Sequence, residues 1–395
     1  MSGMDYLTRL LDGADVLAKP LGDVAAIKRG TSITQKNVTP GDVPVIAGGR
    51  TPAYHHNASN RTGETIVIAG SGAYAGFVSW WDQPIFVSDA FTVKPHAELL
   101  PKYCFYWLKG MQQQLHELKS GGGVPHVYPR DVAPLQIPIP CPDNAQRSLA
   151  IQAEIVRVLN AFTELTAELT GELKARKQQF HHYRDQLLQF EDGEVQWKTL
   201  GEVGDVRMCK RILKKETQPE GDVPFYKIGT FGRQANAFIS GELYELYKAR
   251  YPFPKTGDVL ISASGTIGRA VVYDGKPAYF QDSNIVWLDN DESTVSNRYL
   301  WHFYKVAKWF VSEGGTIDRL YNDNIRKTKV PVPYPDDHKK SLAEQARIVA
   351  ILDKFDALTN SLGEGLPREI ELRQRQYAYY RDLLLSFRKQ EKMVA

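Results

Sequence analysis

The sequence predicts an α+β chain in which two globular mixed α/β modules are separated by two long antiparallel helices, organised as a pseudo-two-fold internal repeat. Three observations lead there. First, a helical segment occurs twice: residues 147–190 open with RSLAIQAEIVRVLNAF and close with HYRDQLLQF, and residues 340–387 open with KSLAEQARIVAILDKF and close with YYRDLLLSF. Second, weaker matches precede each copy, pairing Leu21-Gly22-Asp23-Val24 with Leu200-Gly201-Glu202-Val203 and Gly41-Asp42-Val43-Pro44 with Gly221-Asp222-Val223-Pro224. Third, the later copy holds four extra residues, so the two are related but not identical in length.

Residues 1–20 form an N-terminal segment that completes the repeat. Leu10-Leu11-Asp12-Gly13 and Lys19-Pro20-Leu21-Gly22 echo the stretch from Leu187 to Gly201, with Asp192-Gly193 at the matching place. The chain therefore starts where a helix of its own repeat would be ending, like a closed two-fold object cut open.

The modules, 21–142 and 198–337, carry short runs such as Ile85-Phe86-Val87 and Val271-Val272-Tyr273, punctuated by Gly, Pro, Asp and Asn. Such runs are read as strands and tight turns. TIVIAGSGAYAGFV (65–78) parallels DVLISASGTIGRAVV (258–272), which sets Ser71-Gly72 opposite Ser264-Gly265 and, further on, Asp89 opposite Asp282. Gly122-Gly123-Val124-Pro125-His126-Val127-Tyr128 lies opposite the stretch Gly314-Gly315-Thr316-Ile317-Asp318-Arg319-Leu320-Tyr321, followed by IPIPCP and VPVPYP. Each module also has a shorter helical patch, at 103–118 and 298–311.

The segments 143–197 and 338–395 are the long helices. Apolar residues recur at Ile151, Ile155, Val158, Phe162, Leu165, Leu169 and Leu173, then at Phe180, Tyr183, Leu187 and Phe190, in steps of three and four that form a seam. The second copy has Ile348, Leu352, Phe355, Leu358 and Leu362, then Ile370, Tyr377, Leu384 and Phe387, with Gly363-Glu364-Gly365-Leu366-Pro367 between its halves to break or kink it. A helix of ~40 residues is ~60 Å long, too long for one compact domain. It needs a second long helix, either the antiparallel repeat copy or another chain in a homodimeric coiled coil.

Several functions are disfavoured by what is missing. Cys104, Cys141 and Cys209 are scattered and odd in number, against a disulfide framework or a cysteine zinc site. His55-His56 and His181-His182 lack the i, i+4 spacing that brings two imidazoles to one metal, so no metal site is expected. The glycine-rich Gly70-Ser71-Gly72-Ala73-Tyr74-Ala75-Gly76 is followed by Phe77-Val78-Ser79-Trp80-Trp81, a strand rather than a phosphate-holding helix. Pro335-Asp336-Asp337 is followed by no Glu-x-Lys and ends a loop. No Asn-Pro-Pro-aromatic tetrapeptide or Walker-type GxxxxGK[ST] is present, so no catalytic residues are assigned. No apolar run approaches the ~20 residues of a membrane span, and Asp5, Arg9 and Asp12 stand where a signal peptide would be apolar. The expectation is a cytoplasmic protein with no membrane partner.

Forty-nine Lys and Arg against forty-six Asp and Glu leave a charge of +3, so any nucleic-acid contact must come from local patches. The first module offers Lys28, Arg29, Lys36, Arg50, His55, His56, Asn57, Arg61, Tyr74, His126 and Tyr128. The second offers Arg207, Lys210, Arg211, Lys214, Lys215, Lys227, Arg233, Thr266, Arg269, Arg319, Tyr321, Asn322, Asn324 and Arg326. Lys and Arg suit phosphates, and Arg, Asn and Gln at loop tips suit base edges.

These features resemble the specificity subunit of type I restriction–modification systems, most closely the type IC branch. The matching stretches are YLTRLLDG, IPIPCPDN with SLAIQ after it, LTAELTGELKARK, GEVQWKTLGE, and LPREIELRQRQY with YYRDLL after it. The resemblance spans essentially the whole chain and is loosest inside the modules. It implies that each module is a target recognition domain reading one half of a split DNA site. It also implies that the helices act as an antiparallel spacer, through Phe162, Leu165, Leu169, Leu173, Phe355, Leu358 and Leu362, and dock two methyltransferase subunits that methylate adenine. Motor-nuclease subunits complete the assembly. S-adenosylmethionine, ATP and Mg would sit on those partners, with no cofactor and no catalysis on this chain. The tandem Thr-Ala-Glu-Leu, Thr-Gly-Glu-Leu at 166–173 is the kind of unit the family gains or loses to change half-site spacing. Two other readings stay open: a structural scaffold with coiled-coil oligomerisation, and a methyltransferase in its own right.

Overall fold

The computed structural model describes residues 3–121, 123–190, 195–310, 319–361 and 363–387. Gly122, Asp192-Gly193, Val311, Gly314 to Asp318 and Leu362 lie outside the described residues. The chain divides into two compact units, residues 1–171 with 368–395, and residues 172–367.

The first unit holds a four-stranded antiparallel sheet in the order Ala25–Arg29, Ala90–Pro95, Thr65–Ala69, Val78–Trp81. Beside it, Val43–Ile46 pairs antiparallel with Tyr54–His56 and parallel with Phe86–Val87. Val16–Pro20 and Gln136–Pro140 form a separate two-stranded ribbon. The second unit repeats all three in the same order. Its four-stranded sheet runs Gly204–Met208, Ile285–Asn290, Val259–Ser262, Ala270–Val272. Val223–Tyr226 again lies antiparallel to Phe238–Ile239 and parallel to Tyr279–Phe280, and Val195–Thr199 pairs with Lys329–Pro333. The prolines of IPIP and VPVP are tolerated because a two-stranded ribbon leaves one edge of each strand unpaired. In these ribbons Val16–Pro20 takes the place that Val195–Thr199 takes in the second unit.

The shared SLA-x-Q motif has a structural cause. Gln152, fully buried, accepts from Leu100 N at 2.9 Å and donates to Glu98 O at 3.0 Å and Ser148 Oγ at 3.1 Å. Gln345, also fully buried, accepts from Ser296 N at 2.9 Å and donates to Thr294 O at 2.9 Å and Ser341 Oγ at 3.3 Å. Each glutamine thus binds a long helix to the loop that starts its module's short helix. Tyr103 and Tyr299 add a second equivalent pair, donating to Pro138 O at 2.7 Å and Pro331 O at 3.1 Å.

The central helix, Ala145–Leu188, is unbroken over 44 residues and contributes to both units. In the first unit it meets the helix Gly365–Ser386: Phe162 stacks on Tyr380 at 5.3 Å, and Ile155 and Leu159 share a core with Leu384 and Leu385. In the second, Phe180 and Tyr183 lie on Phe355 at 6.1 and 5.6 Å, and Leu188 shares a core with Ile348 and Leu352. Rising numbers meet falling ones in both, so the pairing is antiparallel and the partner helix comes from the same chain. Leu165, Leu169, Leu173 and Leu358 are half-buried. Gly171 has open space around it, so its departure from Ala costs only helix propensity, ~1 kcal/mol. The predicted break is present between the helices His338–Asn360 and Gly365–Ser386. Gly365 has φ +77°, and a Cβ there would lie 2.5 Å from Ala357 O.

Three local expectations change. The patch at 103–118 is two helices, Pro101–Gly110 and Gln112–Glu117, because Pro101 opens the first and the backbone leaves helical geometry at Met111. The patch at 298–311 is the shorter helix Asn297–Tyr304, capped by Ser296. A helix at Gly241–Arg250, capped by Ser240 and without counterpart in the first unit, was not expected at all. Asp336-Asp337 does end a loop, where the Asp337 side chain accepts from Lys340 N at 2.9 Å to cap the next helix.

A buried histidine makes the second unit sensitive to acid. His302 Nε2 donates to Asp353 at 2.7 Å, and Nδ1 is buried without a partner among the described residues. Burial, with Lys305 and Arg298 nearby, outweighs Asp353 and pushes its pKa down to about 4. The unfolded chain therefore binds this proton more readily between pH ~6.5 and 4. Stability is full above pH ~6.5 and falls by up to about 3 kcal/mol as pH drops to about 4. Denaturant titrations of wild type and His302→Gln across that window should show a steeper slope in wild type; equal slopes would exclude His302 as a source.

Candidate nucleic-acid interface

Each module contains a groove built on the same backbone frame. It lies between the loop after the first strand of the four-stranded sheet, the end of the central strand of the three-stranded sheet, and the approach to the next strand. The first-unit groove, about 540 Å³, is lined by Ser32, Ala47, Ser88, Asp89, His126 and Tyr128 among others. The second, about 280 Å³, is lined by Arg211, Lys214, Lys227, Gln281, Asp282 and Asn284 among others. Strand register makes Ser32 equivalent to Arg211, Ala47 to Lys227, Ser88 to Gln281 and Asp89 to Asp282. Gln35 and Lys214 open equivalent 3-10 turns.

An isolated β-bridge borders each groove: Ser71 pairs with His126, which lines the first, and Ser264 pairs with Arg319, which donates to Ser283 in the lining of the second. At these matched positions His126 stacks on Tyr128 at 5.7 Å, while the Arg319 guanidinium lies 5.9 Å from the Tyr321 ring. Tyr128 further carries Arg29 at 5.3 Å and Arg130 at 4.8 Å from its ring centre. On the neighbouring turn, Arg50 lies over Tyr74 at 4.7 Å and Phe77 at 5.6 Å, and Lys109 lies over Phe77 at 4.6 Å. Burial, helped by Arg381 and Arg50, holds the Lys109 amine below the usual lysine range. Cations laid on aromatic faces beside a groove suit a polyanion whose bases can be approached edge-on.

The model of the type I restriction modification DNA specificity domain matches this chain twice, over residues 15–176 and 193–372. The chain belongs to the type I restriction–modification specificity family. It is 44% identical over 402 residues to a Haemophilus influenzae protein named as a type I restriction enzyme specificity subunit, covering 97% of this chain and 98% of that one. It is 35% identical over 417 residues to the specificity subunit of the Escherichia coli type I restriction enzyme EcoR124I/EcoR124II, covering 99% of both. The fold matches the crystal structure of the type I S subunit from M. genitalium with a TM-score of 0.57 at 18% identity, covering 95% of this chain and 96% of that one. The two modules are the target recognition domains of a type I specificity subunit, whose role is non-catalytic. Among the described residues no helix is long and apolar enough to cross a membrane.

The recognition domains divide the sequence-predicted contacts into two groups. Several cations are taken up by the protein itself. Arg61 donates to Thr92 Oγ1, Asn60 O and Arg29 O at 3.2, 2.8 and 2.9 Å, which ties a loop to the sheet. Arg207 is paired with Asp205 at 2.9 Å, and Arg269 donates to Phe231 O at 2.8 Å. His56 packs edge-on against Phe86 and hydrogen-bonds Thr39, and Asn324 donates to Phe310 O at 2.8 Å. Others stay outward: Lys28, Arg29, Arg50, His55, Asn57, Tyr74, Lys210, Lys214, Arg233, Thr266 and Tyr321 are exposed. Lys227 and Asn322 are half-exposed. Arg130, Asp282 and Tyr251, over which Lys210 lies at 5.1 Å, were not singled out as site residues in the sequence. Only Asp282 had left a signal, its match to Asp89 in the repeat.

Proposed function

We infer that each recognition domain reads one half of a bipartite duplex DNA target through its groove. The long helices set the separation of the half-sites and dock two methyltransferase subunits that methylate adenine. Motor-nuclease subunits join that assembly, and S-adenosylmethionine, ATP and Mg are held by those partners. The observation that carries this reading is the pair of grooves, one backbone frame furnished with different side chains. A shared frame lets both domains meet the same duplex geometry, and exchanged side chains let them read different bases. Outward cations on the rims supply the phosphate contacts that position the protein.

Gel shifts with the full chain and its methyltransferase subunit test this directly. Affinity for a bipartite target should fall steeply with salt. Lys210→Ala should weaken all sequences alike and lower the salt slope, whereas loss of a base-reading arginine should cost about 1–3 kcal/mol at one position. Binding equal to scrambled DNA, or indifference to Lys210→Ala and Arg319→Ala, would support a protein-binding scaffold instead.

A further inference from the structure

We propose that Arg211, held by Asp282, reads a guanine in the half-site of the second recognition domain. This rests on the DNA reading above and assigns one of its base contacts. Arg211 Nε donates to Asp282 Oδ2 at 2.8 Å, and among the described residues its guanidinium makes no other hydrogen bond. The Asp282 side chain is 17% exposed and that of Arg211 67%, so the carboxylate is fixed in the groove wall while the outer end of the arginine stands in the groove. A carboxylate on the Nε edge orients the planar group and leaves both Nη nitrogens as a fork. Guanine presents O6 and N7 on its major-groove edge as two acceptors that such a fork matches.

Three other arginines of this domain are differently placed. Arg269 donates from both Nη groups, to Phe231 O and Thr266 Oγ1, and Arg319 donates from Nη2 to Ser283. Arg207 has Nη2 and Nε against Asp205 and Asp289. Comparison of the two domains points the same way. The acid is kept, as Asp89, but there it accepts from Ser71, and the residue at the place of Arg211 is Ser32. A position whose frame is common and whose side chain is exchanged has no shared supporting role to preserve. Lys214 and Lys227 on the same lining add positive charge that favours DNA approach.

The test is to map the methylated motif in cells that carry the methyltransferase subunit with wild-type chain, Arg211→Ala, Arg211→Gln or Asp282→Asn. Wild type should give a two-part motif with a guanine in one half. Arg211→Ala should relax that base alone, with discrimination falling roughly tenfold to a hundredfold, and Arg211→Gln should shift the preference there toward adenine. Asp282→Asn, a change to a positioning residue, should relax the same base partially while the melting temperature holds. A uniform loss of methylation with the motif intact would mean a phosphate contact and overturn the proposal. Relaxation in several positions at once would do the same. Absence of any two-part motif with wild type would instead defeat the DNA reading itself.

Discussion

Inserting Thr-Ala-Glu-Leu after Leu173 is expected to lengthen the unread spacer of the DNA target while leaving both half-sites unchanged. The site lies in the middle of the unbroken central helix, after a tandem pair of the same unit. Four residues add ~6 Å and ~40° beyond a full turn. That rise corresponds to roughly two base pairs at ~3.4 Å each. The insert also preserves local chemistry, because Thr166 and Thr170 already return their hydroxyls to Phe162 O and Thr166 O at 2.8 and 2.7 Å, and a further threonine can do likewise. Affinity for the original spacing should drop on the order of a thousandfold, toward the non-specific level. Binding to a series of duplexes with stepped spacers reads the new optimum. An unchanged optimum, or altered half-sites, would remove the helix from its role as spacer.

Replacing Gln152 with Leu should destabilise the first unit by about 2–5 kcal/mol. The leucine fills most of the space but leaves Leu100 N–H and Glu98 C=O buried without partners, each costing ~1–3 kcal/mol. Gln345→Leu should do the same to the second unit through Ser296 N and Thr294 O. Chemical denaturation monitored separately in each unit would show which transition moves. A loss under ~0.5 kcal/mol for either variant would mean that the loops detach from the helices without cost. The helices themselves should persist in both variants, since their seams do not depend on the glutamines.

These glutamines also mark how far the sequence could be read. Matching side chains at matching offsets revealed the repeat, the long helices and the glycine break, because each of these is written in side chains along a contiguous stretch. The reason for SLA-x-Q was hidden, since its partners are main-chain groups some fifty residues away that any sequence could supply. The Gly241–Arg250 helix escaped because its inner face rests on Tyr244 against Phe253, without a regular aliphatic stripe, and only the Ser240 cap announced it. Within the two modules, Arg61, Arg207, Arg211 and Arg269 look alike as letters. Their difference comes from which carbonyl or carboxylate the fold places beside each, and that is settled by packing between distant strands.

Leu7, near the beginning of the chain, is buried in one core with Leu384 and Leu385, near its end. The unit formed by 172–367 is drawn from a continuous stretch, whereas the other joins residues 1–171 to residues 368–395. During synthesis the ribosome therefore delivers every residue of the continuous unit before Leu384 and Leu385 emerge. The segment that carries Leu7 lacks these two partners until they have been made, and a nascent chain stalled before Leu384 would leave that side of the core open to chaperones.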